Sequence, residues 1–207
     1  MAMTFTVLTG LKTVTGSIKS WQNYAQVDAA GVLTDAEAWI YQKLRVREMR
    51  TSENLSVAAA KSYIDLPDGY LDPIKLRDIT NDVNLIMVSE DQLEEYRTYT
   101  SGVLDSNDPA WWAVFDEAIQ FDCKATTALT ARMVFYKQLD ALSTSNETNF
   151  LTQRYPHILR HACLAFAALF SKDSELFATE IRLAESLVMD ANAQDELSRR
   201  GQENPVT

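Results

Sequence analysis

A chain of 207 residues, 46% of them apolar and 23% charged, can bury a sizeable core, and this composition excludes a disordered or fibrous protein. The formal charge of -10 is spread along the chain, with 10 basic against 14 acidic residues in 1–100 and 9 against 15 in 101–207. Neither half is a basic nucleic-acid-binding module, because affinity for phosphate needs clustered Lys and Arg that release counterions. In chain order, Leu11, Val14, Ile18, Trp21 and Ala25 step by three and four and predict an amphipathic helix, weakened by Gly10 and Gly16. Gly31 breaks that pattern, and Thr34-Asp35-Ala36-Glu37 has the form of a capping box, predicting a second helix from about Asp35 to Met49.

From Thr51 the period becomes two. Ser56-Val57, Tyr63–Leu66, Tyr70–Ile79 and Asp82–Val88 read as strands, with Pro67-Asp68-Gly69 and Thr80-Asn81 as turns. Ser89–Gln92 caps a short helix to about Tyr99, and Ser101–Pro109 is a polar loop. Trp111–Phe115, Ala118–Cys123 and Ala128–Tyr136 are three more strands, with Asp116-Glu117 turning between the first two. Helical spacing returns after Leu142, where Ser143–Asn146 offers N-caps and Pro156 suits a first helical turn. His157–Phe170 is apolar almost all round, which predicts a central helix with Phe166 in its core, ended by Ser171-Lys172-Asp173. Phe177, Ile181, Ala184, Val188 and Ala191 form a narrow seam for packing along another helix. The segments are therefore 1–50 (N-terminal helices), 51–142 (a β-rich insertion), 143–193 (C-terminal helices) and 194–207, a polar tail with Gly201 and Pro205 that reads as an extended arm.

Little in the chain suggests chemistry. Cys123 and Cys163 lie in apolar runs without zinc-like spacing, so they read as reduced, buried thiols. His157 and His161 share a helix face, but no glutamate lies between them to act as a base, and neither a metal nor a cofactor is expected. The acidic pairs Glu90-Asp91, Glu94-Glu95 and Asp116-Glu117 suit solvated turns and first helical turns. There is no Gly-x-Ser-x-Gly elbow and no phosphate-binding glycine loop, so no catalytic residue is assigned. No charged leader precedes an apolar run at the N-terminus, so no signal peptide is expected. The longest apolar run, Ala162–Phe170, is far short of the roughly 20 residues of a membrane span. Five residues are candidates for partner contacts. Trp111 and Trp112 would face opposite sides of a strand, and an exposed indole anchors interfaces well; core packing of both is the equal alternative. Leu197 is one of two sizeable apolar groups in the tail, and Arg199 and Arg200 can fork onto a neighbour's carboxylates.

Three stretches carry a family resemblance. They are Leu33-Thr34-Asp35-Ala36-Glu37-Ala38-Trp39-Ile40 running into Leu44-Arg45-Val46-Arg47, then Tyr63–Leu71 with its Leu-Pro turn, and then Thr148–Pro156 followed by Ile158–Phe170 and the long last helix. In this order they are similar to the head-to-tail adaptor (connector, head-completion) proteins of tailed bacteriophages. Ser101–Asp108 and His157 depart from that pattern. The resemblance implies an α+β fold, mainly α, in which a helical bundle formed by both chain ends carries an inserted β-hairpin-rich module. It implies a structural virion protein and no enzyme: a ring of roughly twelve copies matching the portal's symmetry, touching portal protein on one side and tail or nozzle proteins on the other. Genomic DNA would pass through the lumen unbound, with no membrane involved. Such a protein is made in the host bacterial cytoplasm and ends at the head-tail interface of the virion. An acidic wall suits that role, since DNA finds nothing on it to hold. The alternative is an enzyme of unrecognised type on the same α+β frame, betrayed by a pocket with a perturbed ionisable group. A DNA-binding regulator would need more basic clustering than Arg45-Arg47-Arg50 and Arg199-Arg200 supply.

Overall fold

The computed structural model describes residues 3–22, 26–100 and 108–203. The elements in chain order are α1 (Phe5–Leu8), α2 (Ile18–Trp21), α3 (Ala29–Lys43), β1 (Arg50–Val57), β2 (Tyr63–Asp65), β3 (Tyr70–Asp78) and β4 (Val83–Met87). There follow α4 (Glu90–Thr100), β5 (Trp111–Phe115), β6 (Ala118–Phe121), β7 (Leu129–Lys137), α5 (Phe150–Arg154), α6 (Pro156–Phe170) and α7 (Ser174–Glu203). Helix makes up 44% and strand 23%, so the expected α weighting gives way to a mixed α and β protein. Chain contacts divide it into a helical unit, Met1–Met49 with Leu139–Thr207, and a sheet unit, Arg50–Gln138.

In the helical unit the expected helix over 11–25 is not formed over its described part, 11–22, where the one-turn α2 alone is helical; the one-turn α1 precedes it. Each is capped by a hydroxyl: Thr4 accepts from Val7 N at 3.2 Å and Ser17 from Ser20 N at 3.1 Å. Between them Gly16 takes φ +94°, which ends any helix. α3 starts at Ala29 and not at Asp35, because Asp28 caps it through the Gly31 amide at 3.2 Å. A Cβ on Gly31 would lie 2.7 Å from the Asp28 carboxylate, so a larger residue there would make the capping side chain shift. The expected capping box is therefore mid-helix: the Thr34 hydroxyl donates to Ala30 O at 3.1 Å, and Glu37 turns inward. α3 also stops earlier than expected, at Lys43, where Leu44 is extended.

α6 is the helix against which α2, α3, α5 and α7 pack. Ala162, Ala165, Ala167 and Ala168 are all fully buried on it beside Leu159 and Cys163, and small side chains let neighbouring backbones approach. Asn149 caps α5 in a capping box with Thr152, and Pro156 opens α6 as expected. α7 buries Ala184, Val188 and Ala191. It does not end at Ala193: residues 194–203 continue the helix, a correction to the extended arm, while 204–207 lie outside the described residues.

The sheet unit holds seven strands in the order β1-β7-β3-β4-β5-β6-β2, mostly antiparallel, with one parallel step at β4 and β5. Edge strands β1 and β2 approach one another, which makes the sheet a near-barrel. Trp112, Phe121, Phe135, Leu76, Met133 and Ile119 fill its interior. The β3–β4 turn is fixed by Asp78, buried, whose carboxylate accepts from Thr80 N at 2.8 Å and Asn81 N at 3.2 Å. Asp116 and Glu117 turn β5 into β6 with φ values of +51° and +56°, the mirror-image turn that matches strand twist.

Candidate functional site

The helical unit concentrates its charged contacts where α7 runs beside the segment leaving α3. Leu44 and Val46 are fully buried, which holds residues 44–46 extended against the core. Side chains of α7 then stitch this segment down. Glu185 meets Lys43 Nζ at 3.0 Å. Asn192 accepts from Arg45 N at 2.7 Å and donates to Lys43 O at 2.9 Å. Asp195, only 7% exposed, accepts from both the backbone N and Nε of Arg47, each at 3.1 Å. Arg199 Nε lies 3.0 Å from the second Asp195 oxygen, and Arg47 also donates to the Ser198 hydroxyl. Hydrogen bonds to a charged, sheltered carboxylate contribute about 1.5–3 kcal/mol, whereas the exposed Lys43–Glu185 pair contributes at most about 1 kcal/mol. Asp195 is thus the hub.

Beside it, Glu48 pairs with Arg154 at 3.1 Å, and a cleft of about 210 Å³ is lined by Arg47, Glu48, Arg154, Tyr155, Asp195 and Ser198. Burial, and then the Glu48 charge, raise the Tyr155 phenol, so it stays a neutral hydrogen-bonding group at physiological pH. The ionic groups here are matched against one another, an arrangement that fixes the end of α7 and leaves its outward face free. Elsewhere, burial pushes the Cys123 thiol up to about 11, with Asp122 and Asp108 adding to it, and burial raises Cys163 further still. Neither is a thiolate at neutral pH. His161 is held by Glu180 at 2.6 Å while His157 is exposed, and the described residues contain no group of three or more metal-binding side chains.

A family model described as SU10 adaptor protein matches residues 7–206, nearly the whole chain and both units. The chain belongs to the SU10 adaptor protein family. It is a phage head-to-tail adaptor by family, a structural component of the virion. No curated protein matches it. Among the described residues, no helix of the adaptor is long and apolar enough to cross a membrane.

The adaptor places the five predicted contact residues in two separate regions. Leu197 is 68% exposed on α7, next to the Asp195 hub. Arg199 is turned inward onto Asp195, and the side chain of Arg200 lies outside the described residues. The two tryptophans sit in the sheet unit. Trp112 is 1% exposed, with its indole N–H donating to Leu85 O at 3.3 Å, so it is a core residue and no surface anchor. Trp111 does face outward, but Tyr96 of α4 stacks on it with centroids 4.6 Å apart. Arg97 of the same helix donates to Phe121 O at 2.8 Å and Gln120 at 3.0 Å, which fixes α4 over that face. Sequence reading missed Arg47, Asn192 and Asp195. A signal was there: the seam of α7 steps on from Ala191 by four to Asp195 and by three to Ser198, polar positions on an otherwise apolar stripe.

Proposed function

We propose that this adaptor forms a ring of roughly twelve copies under the portal, joining the DNA-filled head to the tail and leaving a channel for the genome. The observation that carries this reading is membership of the adaptor family across both units. In it, the helices contributed by the two chain ends act as one bundle. Its partners are the portal protein, further copies of itself and, below, tail or nozzle proteins. Genomic DNA slides past without being bound. The adaptor does no catalysis, and neither the matched charges of the cleft nor the two protonated thiols offer a nucleophile.

The end of α7, with Leu197, Arg199 and Arg200, is the part we assign to the portal. Leu197 already stands in solvent. Arg199 would exchange Asp195 for a carboxylate of the partner. The test uses portal-bearing, DNA-filled heads that lack this protein. Adding the full chain is expected to produce rings of about twelve copies seen by electron microscopy, and heads that then accept tails. Removal of residues 200–207 spares the Asp195–Arg199 pair, so the shortened chain should melt as the full one does, yet fail to attach. Normal tail joining by heads without any added chain would overturn the head-to-tail reading. Normal joining by the shortened chain would remove only the role given to Arg200.

A further inference from the structure

The geometry points to the outward face of α7 as a docking strip for one amphipathic helix of the portal protein, a helix bearing a Lys or Arg at the middle of its apolar stripe. This rests on the portal reading above. α7 carries two stripes, set one residue apart around the helix. The inner one, Phe177, Ile181, Ala184, Val188 and Ala191, is buried or half-buried, with its last three members in the core. On the outer one, Leu183 is 45% and Leu197 68% exposed, while Leu176 and Leu187 are half-buried. Between them Thr179, Ser186 and Ala193, all exposed, recur at every seventh residue. Large side chains alternating with small ones at a seven-residue repeat make knobs and holes for a second helix, and the small positions let it come close. From Leu183 to Leu197 the strip is about 21 Å long at 1.5 Å per residue.

Asp190 decides what the strip takes. It lies midway between Leu183 and Leu197, is exposed, and its carboxylate has no ion pair or hydrogen bond among the described residues. Arg182 stands at the edge of the strip, two turns away. A docked helix would shelter Asp190 from water, which is tolerable only with a cation opposite. The same charge argues against a second copy. Two α7 strips laid face to face about their midpoints would put Asp190 against Asp190, and like charges at close quarters select against a pairing. α4 of a second copy fits no better, since its exposed residues include Glu90, Asp91, Glu94 and Glu95.

Purified portal rings, immobilised, are the probe, and binding of the full chain is measured over a range of salt. The double variant Leu183→Ala with Leu197→Ala, and separately Asp190→Lys, are each expected to weaken binding by about tenfold or more, with thermal melting unchanged because all three residues are exposed. Asp190→Asn should weaken it less and flatten the salt dependence. Wild-type affinity in both the double variant and Asp190→Lys overturns the strip and leaves the adaptor reading standing. If the wild-type chain itself ignores portal rings, both readings fall. If the double variant instead lowers the sedimentation rate of the chain alone, a second copy covers the strip and the portal helix is excluded.

Discussion

Glu37 is a carboxylate only 3% exposed, held by the Leu142 amide at 3.1 Å and the Asn149 side-chain amide at 2.7 Å. It fastens α3 to the segment that leads into α5. Burial raises its pKa above 4.5, and the two hydrogen bonds pull it back only in part. A proton held more tightly in the folded than in the unfolded chain makes stability fall as pH rises. The contribution of Glu37 is therefore whole below 4.5 and is lost as pH climbs through its raised folded value. Urea unfolding of the wild type and of Glu37→Gln, from about pH 4 to about pH 8, should show the wild type losing ground to the variant as pH rises. Parallel curves would mean that burial does not hold the proton. Glu37→Ala should cost about 2 to 4 kcal/mol, since it strands two sheltered donors. The capping pattern misleads here: Thr34-x-x-Glu37 satisfies it, but Asp28 already caps the helix, and a residue's place in a pattern does not say which of two successive caps is used. Asp195 is hidden for the opposite reason: it is a charged residue continuing a stripe whose signal is its apolar members.

At the level of elements, α6 divides sharply into a buried and a bare end. Leu159 is fully buried, so Leu159→Ala should cost about 2–5 kcal/mol, whereas Leu169, 49% exposed near the end of the helix, should cost less than about 0.5 kcal/mol on the same change. Equal costs in thermal or chemical unfolding would mean the helix faces are assigned wrongly. Phe166, read from sequence as a core ring, is only half-buried, and small residues rather than aromatic ones fill the centre of α6. The strands were the most legible elements. β3, β4, β5, β6 and β7 all begin within a residue of where alternation and turn residues put them, because each has one face in the near-barrel interior. Of β1 only Ser56-Val57 reads as strand, because Arg50–Leu55 is mostly polar. As an edge strand it buries Val57 alone, and charged edges discourage unwanted pairing while erasing the periodic signal. The sequence signal for α7 stops at Ala193 because its apolar face ends there. The helix goes on through Asp195, Ser198 and Arg199, among residues that favour helix intrinsically.

Across the whole molecule the charge is uneven. The sheet unit has 8 basic against 15 acidic residues and the helical unit 11 against 14, so the insertion carries most of the excess negative charge and is the part least suited to holding DNA. The sheet unit is one unbroken stretch with its own apolar interior. Residues 50–138 made alone should therefore unfold cooperatively on heating with a strand-type circular dichroism spectrum, and residues 1–49 alone should show little helix. A disordered 50–138 would mean that the sheet needs the rest of the chain. Because the helical unit is built from both ends, synthesis reaches its halves at different times. α3 leaves the ribosome with the face meant for α6 uncovered, and it must wait through the whole of the sheet before α6 follows about 110 residues later, several seconds at translation rates of about 5–20 residues per second. During that interval the sheet can close on its own schedule while the leading segment stays a client for chaperones. The last helix to be made is also the one that locks Arg45 and Arg47 in place, so a chain stalled before α7 would carry a finished sheet on a helical unit with its fastening missing.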